Sequence, residues 1–297
     1  MDPINPDTAM DAVTLRVGDL EGMSSYYAEA LALTPLEERA HGREVHRVLG
    51  RGATPMVRLV HTPGLPGVDP RQAGLYHTAF LFEDASSLAA TVYRAARTAR
   101  SQFVGSSDHL VSEAFYFTDP EGNGIELYTD RPRSQWGYSN GEIQMATKYL
   151  DPNAYLQRHL TQEALDAGAG LAGRVGHVHL QVGDLQVARA FYVDALGFES
   201  TATGYPGALF ASAGGYHHHI AMNTWHSAGA GPRAASLGLG DVAVSVPGRD
   251  DLDSLVSRLR EQKLPFADDG RAVRVTDPWG TQVTVAASGT TVDELLA

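Results

Sequence analysis

The stretch VTLRVGDLEGMSSYYAEALAL, residues 13–33, returns as VHLQVGDLQVARAFYVDALGF, residues 178–198. The offset is 165 throughout: Val17-Gly18-Asp19-Leu20 falls on Val182-Gly183-Asp184-Leu185, and Tyr27 falls on Tyr192. Each copy opens on alternating apolar residues, the period of a half-buried strand, turns at Gly-Asp, and continues with a helical stripe. Leu20, Met23, Tyr27 and Leu31 mark that stripe in the first copy.

A second pair of matches lies further along each copy. GLYHTAFLFEDASSL (74–88) matches GLGDVAVSVPGRDDL (238–252), and TDPEGNGIELY (118–128) matches TDPWGTQVTVA (276–286). The chain therefore has two similar halves, each of two units on one plan. A strand opens the unit (VTLRV, HTAFLF, VHLQV, VAVSV), an acidic or Gly-Asp turn and a helix follow, and further strands close it. In units two and four an Asp-Pro-x-Gly turn precedes the last strand. The expected architecture is α+β: four tandem βαβββ modules in two similar halves, paired into cup-shaped half-barrels. The N-terminal pair is assigned to residues 1–132, a linker to 133–172, and the C-terminal pair to 173–297.

Composition fits this plan and removes several function classes. A chain of 297 residues, 43% hydrophobic and 20% charged, has ample material for two cores. A net charge of −12 argues against nucleic acid or an anionic membrane as the main partner. No run approaches the 18 or so apolar residues of a membrane span. The N-terminal MDPINPDTAMDAV carries acidic residues and no apolar stretch, unlike a secretory signal, so a cytoplasmic location is expected. Cysteine is absent, which excludes disulfides, thiolate nucleophiles and zinc–thiolate sites. Any metal must be held by histidine, carboxylate or amide groups.

A repeat establishes architecture, not activity. Function is sought where the copies differ. His77 of unit two matches Asp241 of unit four, and Glu126 matches Thr284. His177 of unit three matches Ala12 of unit one, and His218 matches Ala53. A structural role would be kept in both copies, so the pattern reads as one live metal cup and one vacated cup. Singly, a strand histidine is more often a satisfied core or surface group than a ligand. Glu126, in an otherwise apolar strand, is harder to dismiss, because a buried carboxylate needs partners. If units two and three pair, two first strands and one last strand converge on one ion. Two histidines and a carboxylate are the facial triad of non-haem Fe(II) sites, with Mn(II) as the other candidate and three positions left open. His179, His217 and His219 receive blander readings. His179 has no assigned role, and His217 and His219 are expected to face away from His218, as neighbours on a strand do.

The motifs GHVHLQVGDL (176–185), GGYHHHIAMNTW (214–225) and SDHLVSEAFYFTDPEGNGIELY (107–128) go further. Over nearly the whole chain the sequence resembles the vicinal-oxygen-chelate superfamily, and within it the type I extradiol ring-cleaving dioxygenases of the catechol 2,3-dioxygenase group. The resemblance implies metal ligands at His177, His77 and Glu126, and an acid–base histidine at His218. It implies a tyrosine that bonds a substrate oxygen at Tyr116, and a further histidine at His109, two residues out of the family's spacing. It also departs from many relatives in placing the live cup in units two and three rather than three and four. The implied partners are a small aromatic diol and O2, with a muconic semialdehyde-type product, in a homo-oligomer. Two alternatives stand beside it: a glyoxalase-like lyase or isomerase, which often uses four protein ligands, and a metal-free small-molecule-binding relative. The position in unit three that matches Glu126 lies near Ala221–Asn223 and offers no carboxylate, which favours three ligands.

Overall fold

A computed structural model describes residues 3–170 and 172–296. Met1, Asp2 and Ala297, at the outer bounds of the two halves, and Leu171, in the linker, lie outside the described residues. Module one comprises β1 (Val13–Val17), α1 (Leu20–Leu31), β2 (Thr34–His41), β3 (Glu44–Arg51) and β4 (Thr54–His61). Module two comprises β5 (Gly74–Phe82), α2 (Ala85–Arg97), β6 (Gln102–Asp108), β7 (Ser112–Thr118) and β8 (Gly124–Asp130). Two short linker helices follow, α3 (Pro152–His159) and α4 (Gln162–Ala167). Module three has β9 (Gly173–Gln181), α5 (Leu185–Arg189), β10 (Glu199–Ala202), β11 (Ala208–Ser212) and β12 (Ile220–Asn223). Module four has β13 (Gly238–Val246), α6 (Arg249–Glu261), β14 (Phe266–Asp268), β15 (Ala272–Thr276) and β16 (Gln282–Ala287).

The helices begin where the sequence places them. Asp19, Asp84 and Asp184 each accept backbone N–H groups of the first turn, satisfying donors that a helix N-terminus leaves unpaired. The stripe residues Leu20, Met23, Tyr27 and Leu31 are all buried, as are Leu252, Leu255 and Leu259. In module three the helix opens into a wide π-helical turn over Ala190–Ala195, a local departure from its copy in module one.

The two sheets cut across the two sequence halves. One runs β14-β15-β16-β13-β1-β4-β3-β2, joining modules four and one. The other runs β6-β7-β8-β5-β9-β12-β11-β10, joining modules two and three, with Lys148–Tyr149 added beside β6. At the centre of each sheet the two opening strands lie antiparallel, β13 on β1 and β9 on β5. Packing through the helical layer then ties together the modules of one half. Tyr27 in module one donates to Asp119 Oδ2 of module two at 3.0 Å. Its repeat mate Tyr192 donates to Asp277 Oδ2 of module four at 2.9 Å. These aspartates open the Asp-Pro-x-Gly turns, and their other oxygens accept the turn's own N–H groups (Asn123 N and Thr281 N). One buried tyrosine–carboxylate stitch is thus used twice. No helix of the described residues is long and apolar enough to cross a membrane.

The cup of modules one and four keeps a smaller cavity of about 290 Å³, lined by Arg58, Asp241, Thr284 and Leu295. Where the other cup has His77 and Glu126, it has Asp241 and Thr284, hydrogen-bonded to each other at 3.1 Å. A short helix, Val292–Leu295, contributes Glu294 and Leu295 to that lining. Arg58 donates to the Leu295 carbonyl, and Leu295 and Leu296 pack on Ala12 and Val48.

Candidate metal centre

Strand register brings the three ligand candidates together. Ala79 on β5 is flanked by Glu126 on the parallel neighbour β8 and by His177 on the antiparallel neighbour β9. His77 lies two residues before Ala79, on the same face of the pleat. Because Ala79 carries only a methyl group, the space above it is left to the three longer side chains. His77 Nε2 stands 2.8 Å from Glu126 Oε2, and His177 Nε2 stands 3.0 Å from the same oxygen. Candidate ligand atoms of the three residues all lie within 4.8 Å of one another, and all three residues are buried.

Two glycines permit this approach. A Cβ on Gly176 would fall 1.9 Å from Tyr128 Oη, and one on Gly124 would fall 2.0 Å from the Tyr76 carbonyl oxygen and 3.0 Å from His77 Cβ. The Gly-His of GHVHLQV and the Asn-Gly of NGIELY are therefore required by close packing behind His177 and His77.

Electrostatics put the set in the form a cation needs. Burial alone would raise the Glu126 carboxyl, but the flanking His177 and His77 outweigh it and hold the group well below the usual carboxylate range. Burial brings His177 down to about 4. A carboxylate held in its ionised form, beside a His177 imidazole that burial keeps from protonating, supplies the deprotonated donors that metal binding demands. The 2.8 Å approach of His77 Nε2 to Glu126 Oε2 lacks hydrogen-bond geometry, so the two buried groups face each other as donors around a common point rather than as a hydrogen-bonded pair. These donors fit a divalent first-row metal, with His77, Glu126 and His177 to hold it.

A cavity of about 400 Å³ opens beside the cluster, lined by His77, Glu126, Tyr116, His109, His179 and His218 and walled by Tyr76, Phe210, Tyr205 and Trp225. Tyr116 is directly opposite Glu126 across the β7–β8 hairpin, which is why ten residues separate them. Burial raises its phenol well above the ordinary value. Its oxygen is 2.7 Å from His109 Nε2, and His109 Nδ1–H donates to the Ala146 carbonyl at 2.8 Å. His109 sits in the β6–β7 turn, where Leu110 takes a left-handed φ of 70° and Asp108 accepts its N–H. His218 packs on the His177 ring at 4.1 Å between centroids, and burial takes its imidazole well below the ordinary range.

Two expectations about the histidine run need correction. Residues 217–219 form a loop ahead of β12, not a strand, so side chains do not simply alternate. His217 is fully buried and meets His218 Nδ1 to Nδ1 at 2.8 Å, while His219 Nδ1 accepts the Ala213 N–H at 3.2 Å. His179, singled out in the sequence but given no role, joins the cavity, and two linker residues that the sequence does not mark join it too. His179 pairs with His77 in the β5–β9 register, lines the cavity, and accepts from Asn223 Nδ2 at 3.0 Å. Its spacing of two from His177 was the available signal. Met145 and Thr147 of the linker also line the cavity, and nothing in the linker's composition marks them.

Residues 9–127 and 174–285 match the Glyoxalase/Bleomycin resistance protein/Dioxygenase superfamily. The chain belongs to that superfamily. It is 33% identical over 283 residues to a catechol-2,3-dioxygenase of Bacillus subtilis (strain 168), covering 94% of this chain and 96% of the relative. A solved putative dioxygenase from Bacillus subtilis subsp. subtilis str. 168 superposes with a TM-score of 0.63 at 13% identity, covering 99% of this chain and 88% of that one. Glyoxalase I from Zea mays does so at 0.56 and 17%, covering 95% and 92%. At those identities the two structures speak for the fold alone.

Proposed function

We propose that the chain is a non-haem Fe(II) extradiol dioxygenase that opens a catechol-type ring beside the diol with O2, with Mn(II) as the alternative ion. The observation that carries the reading is the buried His77–Glu126–His177 cluster, whose His77 and Glu126 line a cavity that also presents His218 and the Tyr116–His109 pair. The relationship to a catechol-2,3-dioxygenase over nearly the full chain supports it.

When bound, iron supplies Lewis acidity toward the diol oxygens and a path for electrons from the ring to O2. The remaining tasks fall to the chain. His218 takes a proton from a diol hydroxyl, and the low basicity that burial imposes keeps its imidazole neutral and ready to accept. His109 Nδ1–H is committed to Ala146, so His109 Nε2 accepts from the Tyr116 hydroxyl. The Tyr116 oxygen is then free to accept from the second diol hydroxyl, with His109 as the destination of the Tyr116 proton. Tyr76, Phe210 and Trp225 give the ring an aromatic wall. A glyoxalase-like four-ligand site is disfavoured because Ile220–Asn223 brings no carboxylate.

The test is a screen of catechol and substituted catechols under air with Fe(II)-loaded protein, read by the absorbance of the yellow ring-opened product. Turnover is expected to depend on iron. Failure with every catechol, alongside metal-dependent turnover of a hemithioacetal, would favour the glyoxalase-like alternative.

A further inference from the structure

His218 is held by a chain of hydrogen bonds that runs away from the cavity to a carboxylate. Asp130, at the end of β8, accepts with both oxygens: from His217 Nε2–H on Oδ1 at 2.9 Å, and from the Tyr216 hydroxyl on Oδ2 at 2.9 Å. The Tyr216 oxygen in turn faces the Tyr128 hydroxyl at 2.8 Å, so Tyr128 supplies the proton there and Tyr216 is committed to Asp130. His217 Nδ1 meets His218 Nδ1 at 2.8 Å.

With both imidazoles neutral, hydrogen-bond direction along this chain has one consistent solution. A carboxylate accepts, so His217 carries its proton on Nε2. Its Nδ1 is then a lone pair, and the hydrogen between the two Nδ1 atoms belongs to His218. With the proton on Nδ1, His218 Nε2, at the opposite corner of the ring, is left as a lone pair. No described residue hydrogen-bonds that atom, and the His218 ring lines the cavity.

We infer that Asp130 and His217 are positioning residues that fix His218 in the Nδ1–H tautomer and turn its Nε2 lone pair toward the cavity. Left to itself a neutral imidazole samples both tautomers, and one of them would point a hydrogen, not an acceptor, at the substrate. Neither residue belongs to the candidate metal triad. Asp130 also lines a separate cleft with Glu83 and Arg174, so the orienting carboxylate sits outside the reaction cavity. The use made of the lone pair rests on the dioxygenase reading; the tautomer assignment does not.

Nitrogen-15 NMR of the histidine-labelled, metal-free full-length chain tests the assignment, with signals identified by their loss in His217→Phe and His218→Phe. The wild type should show His218 protonated on Nδ1 and His217 on Nε2. In Asp130→Ala, His218 should gain the Nε2-protonated form. With iron, Asp130→Ala and His217→Phe should keep full metal content and KM while kcat falls about 10- to 100-fold, the usual effect of removing an orienting partner. His218 protonated on Nε2 in the wild type overturns the inference. So does a loss of kcat in Asp130→Ala with wild-type tautomers, which would be a structural effect only. The predicted tautomers in a protein that turns over no catechol would refute the dioxygenase reading and leave the tautomer assignment intact.

Discussion

Replacing His218 with phenylalanine isolates proton transfer from everything else the residue does. The ring packs on His177 at 4.1 Å and on Phe210 at 5.1 Å, contacts a phenyl ring can keep. What is lost is Nε2, the proposed acceptor, and the bond to His217 Nδ1. A positioned acid–base group is usually worth about 10²- to 10⁴-fold in rate, which is roughly 3–5 kcal/mol of barrier. The stability cost is smaller: one buried ring nitrogen on His217 loses its partner, at about 1–3 kcal/mol. The triad is untouched, so metal content should stay at the wild-type value. The assays are kcat from product absorbance, metal per chain, and a urea unfolding curve on the same preparation. Near-wild-type kcat with full metal would refute the role. Loss of metal would instead make His218 a ligand and revive the four-ligand reading.

Further expectations follow from the same geometry. His77→Ala, His177→Ala and Glu126→Ala should each abolish stoichiometric metal binding, whereas Thr284→Ala in the sister cup should not; metal analysis decides, and retention in any of the first three removes that residue from the triad. Gly176→Ala should also lose metal, because the new methyl must displace Tyr128, which packs on His177. Tyr27→Phe and Tyr192→Phe should each cost about 1.5–3 kcal/mol, the range for a hydrogen bond to a charged group; an effect in only one would contradict the shared stitch. Asp241→Asn should stabilise the protein at pH 8 and not at pH 4. Burial raises Asp241 to about 6, so the folded state holds a proton that the unfolded state has released, and stability falls as pH rises from about 4 to 6. Asparagine removes that loss, on the order of 3 kcal/mol for such a shift; equal urea midpoints for variant and wild type at pH 8 would contradict it.

The duplication, the module plan and the triad were legible because each leaves a local trace. Strand alternation, the Gly-Asp turn and the Asp-Pro-x-Gly turn are short-range patterns, and comparing copies at an offset of 165 shows which polar residues the scaffold does not need. The sheet pairing of modules two and three followed only as a condition on His77 and His177 meeting, since chain order alone favours pairing within a half. Three parts were not legible, each for a physical reason. His217 turns toward His218 because residues 217–219 form a loop, where strand alternation does not hold. His109 meets Tyr116 from a tight turn whose Leu110 is left-handed, a conformation no leucine announces. Met145 and Thr147 reach the cavity because the linker folds back over it, with Ala146 held by His109, and long-range contact of that kind has no periodicity to read.

The central claim is that the His77–Glu126–His177 cup supports ring opening by O2. An oxygen electrode measures this most directly, with Fe(II)-loaded protein and the catechol that turns over best. The account predicts one O2 consumed per ring-opened product, and no uptake when Glu126 is replaced by alanine. Product formed without O2 uptake, or uptake that persists in the Glu126→Ala protein, would contradict it.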